Sequence, residues 1–328
     1  MEATTLDALN SAETSKRTTA IVYLSLVMIC GIFGNLLIIV IYFGKLRSKR
    51  NAHLTFVRAL GITDGVVCVF IIPFEIYQQT HQFTFYSEAG CKLFRSVNVF
   101  LSTVSALLLI IMAINRLRNV CQPLKAQLTC RQALIGICLL VILSVFISWP
   151  EAVISGISSS ELGQNLIGYD CSFADRMKGT NYTTIYSTIL FIVYLSFMLT
   201  LIVIYSIIGV VHRKRLSMKR NKNCTVSTTQ LAVQEQTEEA TLKKVRTAFA
   251  LSICFVVTYV SYLVVKLNAS ILQGQFDSDN STKAIFPVLA RLYFINNIVN
   301  PFIYFWLETS FRSSCKTLFS GIICRKRS

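Results

Sequence analysis

The chain alternates long apolar stretches with short polar ones, and the apolar stretches are too unbroken to be the half-buried faces of soluble helices. An amphipathic helix returns to a polar residue every three or four positions. Here seven runs, about 20–43, 54–78, 91–116, 132–157, 183–211, 245–271 and 284–307, are mostly apolar throughout. At about 1.5 Å per residue, runs of roughly twenty residues cross a hydrocarbon core ~30 Å thick. The pattern predicts an all-α membrane protein: a polar tail over residues 1–19, a bundle of seven transmembrane helices over 20–307, and a last segment over 308–328.

The polar segments set the orientation, because Lys and Arg collect on the cytoplasmic side. With the N-terminus outside, 23 of the 32 basic residues fall inside, against nine for the opposite arrangement. The expectation is an N-terminus outside and a cytoplasmic C-terminus. The first run is longer than a signal-peptide core and is followed by KLRSKR rather than a small-residue cleavage site, so it reads as a retained span.

Composition agrees: 53% of residues are hydrophobic and 15% charged, where a soluble domain carries about a quarter charged. The net charge of +16 belongs to one face, and topology with anionic inner-leaflet lipid accounts for it without nucleic acid. Most of the eleven cysteines lie in apolar runs; Cys91 and Cys171 alone fall in outside segments, where an oxidising exterior permits a bond between them. Asn181, Asn268 and Asn280 head sequons on or near that side. Asn223 heads one inside and stays unmodified.

Several polar residues share one depth. Asp64 sits mid-span in LGITDGVV, Ser105 lies eleven residues before Arg116, and Asn35, Asn296, Asn297 and Asn300 fall at similar depth. A carboxylate ringed by a hydroxyl and amides suits a hydrated cation site; hydrogen bonding between helices is the equal alternative. Enzyme chemistry is not indicated, since His53, His81 and His212 are scattered over different sides and no phosphate-binding glycine loop occurs. An ion-coupled transporter would need paired internal repeats, which seven spans do not supply.

Jointly these landmarks resemble the rhodopsin-like, class A, G-protein-coupled receptors. NPFIY, Asn300 to Tyr304, is similar to the family's NPxxY, and FWLETSFRSSCKTLF after it resembles the helix lying along the inner membrane surface, which implies a short amphipathic helix and a cytoplasmic tail over 308–328. AINRLRNVCQPL places Asn115, Arg116, Leu117, Val120, Pro123 and Leu124 on the DRYxxVxxPL pattern. The resemblance implies a receptor that binds an extracellular ligand and activates a heterotrimeric G protein by outward movement of the sixth span, at the plasma membrane. It implies a sodium pocket of Asp64, Ser105, Asn296 and Asn300, and a switch of Asn115, Arg116, Tyr205, Tyr259, Asn300, Pro301 and Tyr304. A receptor kinase, for which Ser310, Ser313 and Ser314 are candidate targets, and arrestin are further expected partners, and Cys324, preferred over Cys315, is a palmitoylation candidate by its juxtamembrane position.

The departures carry expectations of their own. Asn115 replaces the acid that pairs with the arginine in the family, so Arg116 is expected to lack its usual partner and to sit nearer the active state. Tyr259 replaces the toggle Trp, Ser261 the kink-forming Pro, and the fifth span has no proline. Asn98 stands where amine receptors carry an aspartate, and no lysine occupies the seventh span near Phe294, which excludes retinal. The outer residues Glu75, Gln78, Arg95, Asn98, Tyr262, Lys266 and Arg291, with Pro73 bending the second span, suit a peptide; snorkelling is the competing reading for Lys266 and Arg291. A decoy of the same fold, binding without signalling, is the alternative that Asn115, Tyr259 and Ser261 motivate.

Overall fold

The computed structural model describes residues 2–45, 51–122, 125–163, 166–220, 249–250, 252–262, 264–265 and 280–325. A polar helix α1 (Glu2–Lys16) leads into α2 (Thr18–Ile39), which continues through a π-helical turn at Val40–Lys45. The second span is α3 (Ala52–Val66), a π turn (Val67–Ile71) and α4 (Ile72–Thr80). Then follow α5 (Glu88–Cys121), α6 (Cys130–Ile154), strands β1 (Ser155–Glu161) and β2 (Ile167–Phe173), and α7 (Tyr182–Arg220). The last helices are α8 (Ser252–Tyr262), α9 (Asn280–Leu289), α10 (Asn296–Leu307) and α11 (Thr309–Arg325), with a 3-10 stretch, Leu292–Ile295, between α9 and α10.

Among the described residues five helices are long and apolar enough to cross a membrane: Thr18–Gly44, Ala52–Thr80, Glu88–Cys121, Cys130–Ile154 and Tyr182–Val211. They coincide with the first five apolar runs. The sixth run is represented by the shorter apolar α8, and the seventh is jointed, because α9 ends before Ala290 and the helix resumes as a 3-10 stretch. Helices satisfy their own backbone groups, which hydrocarbon cannot do for them. Exposed ends are closed by side chains: Asn51 accepts from the Leu54 amide at 2.9 Å, and Thr129 with Gln132 forms a reciprocal capping box on α6.

Packing centres on α5, which lies against α3, α6 and α7. The wall turned to lipid is apolar, with Leu139, Phe146 and Trp149 exposed along α6. Lipid is as apolar as leucine, so close fit rather than the hydrophobic effect holds the helices together. Gly34 illustrates this: a Cβ there would collide with Pro301, so the missing side chain lets α2 and α10 touch.

Pro73 sits at the second position of α4, where its lacking N–H is tolerated. The irregularity expected of that proline appears as the π turn just before it, and the span runs on without a break. The first nineteen residues form more than a tail. Asn10 donates to the Thr80 carbonyl at 2.8 Å and accepts from the Phe83 amide at 3.1 Å, fastening α1 to the end of α4.

Candidate functional site

The outer end, the end of the bundle that the basic-residue count expects outside, is built from paired charges over tyrosines. Arg95, on α5, donates to Glu151 of α6 at 3.3 Å and to Ser155 at 3.1 Å, and its guanidinium lies 6.0 Å from the Phe173 ring centre. Arg291 donates to Glu75 of α4 at 3.0 Å and to the Pro287 carbonyl at 3.1 Å. The snorkelling reading of Arg291 is therefore overturned: its side chain is only 15% exposed and turns to a buried acid. Lys266 and Asn268 lie outside the described residues.

Below these pairs, Asn98 donates to the Tyr293 hydroxyl at 2.7 Å, and its own carbonyl oxygen is buried without a partner. Tyr262 lies 4.7 Å from Tyr293 between ring centres, Tyr259 is 5.6 Å from Tyr293, and Tyr194 stacks on Tyr259 at 5.2 Å. Asn98, Tyr194, Tyr262 and Tyr293 surround a cavity of only about 10 Å³. That is room for one water, so a ligand reaching this floor must part the tyrosines.

The hairpin β1–β2 roofs this end. Cys91 and Cys171 are joined, with Cα atoms 5.5 Å apart, tying the start of α5 to β2 as the outside cysteines allowed. Gln78 donates to the Cys171 carbonyl. Beside it, burial pushes the Asp170 carboxyl up to about 6, against the opposing pull of Arg95, Lys178 and Arg17. Asn181 is exposed at the foot of α7, and Asn280 begins α9.

At mid-depth Asp64 is fully buried. Ser105 donates to one of its oxygens at 3.2 Å and Asn300 to the other. Asn35 donates to the Gly31 and Asn297 carbonyls at 3.0 and 2.8 Å. The amide oxygens of Asn35, Asn296 and Asn300 are buried and unpartnered. Acceptors left over beside a carboxylate are the donor set that a hard cation takes. Among the described residues no cluster of three or more His, Cys, Asp or Glu occurs.

The inner end corrects the sequence reading of Arg116. Asn115 is buried and supplies no acid, yet Arg116 is not left without a partner. Its Nη2 lies 3.0 Å from His53 Nε2, and that same nitrogen is 3.4 Å from Glu308 Oε1. Tyr42 donates to the other Glu308 oxygen at 2.8 Å. Burial pushes Glu308 up, but the His53 and Tyr42 hydrogen bonds and the charge of Arg116 outweigh it, leaving the carboxyl below its ordinary range. The missing anion is thus delivered from the start of α11 through a histidine at the start of α3.

The neighbouring residues are packed rather than solvated. Tyr304 is buried with its hydroxyl unpartnered, edge-on to Tyr42 and Phe311. Tyr205 lies 5.7 Å from Phe249 between ring centres and hydrogen-bonds Ser252. Pro301 is buried in α10. Cys315 is buried beneath the bundle, whereas Cys324 lies in the last turns of α11. Glu151, His53 and Glu308 were not among the sequence candidates. His53 had a usable signal: it precedes Asp64 by eleven residues as Arg116 follows Ser105 by eleven, placing both at one depth on antiparallel helices.

A profile described as 7 transmembrane receptor (rhodopsin family) matches residues 34–304. The chain belongs to this rhodopsin family of receptors. It is a multi-pass plasma-membrane protein and a receptor rather than an enzyme. Among its relatives, the bombesin receptor subtype-3 of Ovis aries is 25% identical over 87% of this chain and 71% of that protein. The neuromedin-U receptor 2 of Rattus norvegicus is 24% identical over 90% of this chain and 74% of that protein. The histamine H2 receptor of Homo sapiens is 23% identical over 96% and 83%.

Proposed function

We propose that this receptor binds an extracellular peptide at its outer end and activates a heterotrimeric G protein at its inner end, with the N-terminus outside and the C-terminus in the cytoplasm. The observation that carries the peptide reading is the mouth of the bundle: two cations, each already matched by a buried acid, Arg95 with Glu151 and Arg291 with Glu75. Such a mouth offers both signs of charge, and among the described residues its two buried acids each already face an arginine rather than standing ready to trap an amine. Asn98, where an amine receptor carries its aspartate, is engaged with Tyr293. The bombesin and neuromedin-U receptors among the relatives favour the same ligand class, and the histamine receptor is the counter-case.

Signal transfer follows as a population shift. Arg116 is 5% exposed and held by His53, so a partner's helix meets it only after that contact opens and the sixth helix moves outward. Peptide that favours the open inner face and G protein that holds it open strengthen one another's binding. Sodium bound by Asp64, Ser105, Asn296 and Asn300 would add positive charge that stabilises the closed arrangement. Exposed Ser310 and Ser313 on α11 offer acceptors for a receptor kinase, and hence a route to arrestin. Cys324 is the preferred acyl site.

A screen of peptides and amines against the receptor co-expressed with G proteins, read as nucleotide exchange, tests this reading. Peptide-driven exchange is expected. Exchange driven by amines alone overturns the ligand class. Peptide binding without exchange for any G protein leaves the decoy reading, which the departures at Asn115, Tyr259 and Ser261 motivate.

A further inference from the structure

Between α7 and α8, in the inner half of the bundle, lies a groove of about 610 Å³, within the roughly 300–1,000 Å³ of a small-molecule site. Its walls are apolar, and Ile202, Val210, Ile253 and Val257 on its rims are exposed on the lipid-facing surface. Whatever fills it must come from the bilayer. Two features make it more than a seam between helices. At Gly209, exposed along its wall, an added Cβ would meet nothing within 4 Å, so at that point the groove is lined by bare backbone. At its inner end stands Arg213, exposed, with exposed Lys214 beside it.

We propose that this groove is a binding site for an anionic phospholipid of the inner leaflet, one acyl chain lying along Gly209 and the phosphate on Arg213. The apolar walls suit the chain. A guanidinium grips a phosphate through two parallel hydrogen bonds, and the cytoplasmic leaflet is where anionic lipid resides. Arg213 follows Tyr205 by eight residues, about 12 Å of helix, which separates the headgroup from the buried hydroxyl end of the groove. Tyr205 and Phe249 line the same space, so the lipid touches a switch tyrosine and the start of the sixth helix. A lipid shaped to this arrangement favours it, and in this arrangement Arg116 is held by His53. The headgroup's leaflet rests on the proposed orientation; the pocket itself does not.

The test uses the full chain in nanodiscs of phosphatidylcholine with about one-fifth phosphatidylglycerol, symmetrical across both leaflets so that an orientation error cannot mimic failure. Photoactivatable phosphatidylglycerol and phosphatidylcholine are cross-linked in parallel, and the labelled peptides are mapped. Phosphatidylglycerol is expected to label α7 and α8 about fivefold more than phosphatidylcholine, and Arg213→Gln to remove that preference. Gly209→Leu should abolish labelling of the groove by either lipid. Leucine favours helix more than glycine, so this variant folds; Val257→Trp fills the groove from the opposite wall as an independent check. Equal labelling by the two lipids in the wild type, or groove labelling unchanged in both filled variants, identifies ordinary annular lipid and overturns the proposal.

Discussion

Arg116 Nη2 lies 3.0 Å from His53 Nε2, and the same ring nitrogen faces Glu308 Oε1 at 3.4 Å. One nitrogen cannot both accept from the guanidinium and donate to the carboxylate. Arg116 Nη2 is also 3.4 Å from His53 Nδ1, so the tautomer of the neutral ring decides the network: a proton on Nε2 is donated to Glu308 while Nδ1 accepts from Arg116, and a proton on Nδ1 leaves Nε2 to Arg116; a doubly protonated ring serves Glu308 and repels Arg116. Tyr42 steadies the far oxygen of Glu308, so the competition is settled at His53.

His53→Ala should therefore raise ligand-independent nucleotide exchange, because it removes the ring that stands between Arg116 and Glu308. A hydrogen bond to a charged group contributes about 1.5–3 kcal/mol, so the closed-to-open ratio should fall by roughly tenfold or more. Exchange by purified receptor with G protein in excess is the measurement. Basal exchange no higher than wild type would show that the histidine does not restrain Arg116.

Asn115→Asp places an acid beside Arg116 on the same helix, as relatives of the DRY type do. It should lower basal exchange in the wild type and restore restraint to the His53→Ala receptor. The comparison is informative in the double variant: exchange as high as in His53→Ala alone would mean that position 115 cannot reach the arginine.

Sodium at the Asp64 cluster should be visible without a ligand. Replacing choline chloride by sodium chloride at equal ionic strength is expected to raise the thermal midpoint by a few degrees, about 2–4 °C per kcal/mol of binding. Asp64→Asn should erase the difference. A sodium shift that survives this substitution would place the ion elsewhere, and no shift in the wild type would leave the cluster as hydrogen bonding between helices.

Asp170 makes the roof of the outer pocket sensitive to acid. Its folded value, about 6, is raised above the ordinary 3.8, so the folded hairpin holds the proton more tightly than the unfolded chain. That contribution is fully present below about pH 4 and is lost as the pH rises through 6; it amounts to about 3 kcal/mol at most. Backbone amides of β1 and β2 should exchange more slowly at pH 5 than at pH 7 after correction for intrinsic rates. Asp170→Asn should flatten that dependence, and an unchanged profile in the variant would assign it to another group.

The first five spans were legible because an uninterrupted apolar run has one physical meaning at that length, and the structure places helices on each. The Asp64 cluster was legible for a related reason: polar groups cost so much in hydrocarbon that their shared depth carries information. The partner of Arg116 was hidden because it is assembled from α3 and α11, whose starts are far apart in sequence. A one-residue comparison at Asn115 saw only the loss. Glu151 was hidden similarly, as it follows Pro150 at a span end and reads as a boundary charge until α6 packs against α5 and buries it. The joint in the seventh span was not foreseen either, since 284–307 is apolar on both sides of Arg291.

That joint divides the seventh span into two rods coupled by Leu292–Ile295. The Arg291–Glu75 pair sits in the joint itself, just past the end of the outer rod at Leu289, and the inner rod begins at Asn296 and carries Asn300, Pro301 and Tyr304. Tyr293 and Phe294, both buried, form the coupling, and Tyr293 lies against Tyr262 and Tyr259 of the tyrosine floor. If a ligand presses on that floor, as proposed, the joint is where the pressure would be felt first, because the buried Tyr293 belongs to both.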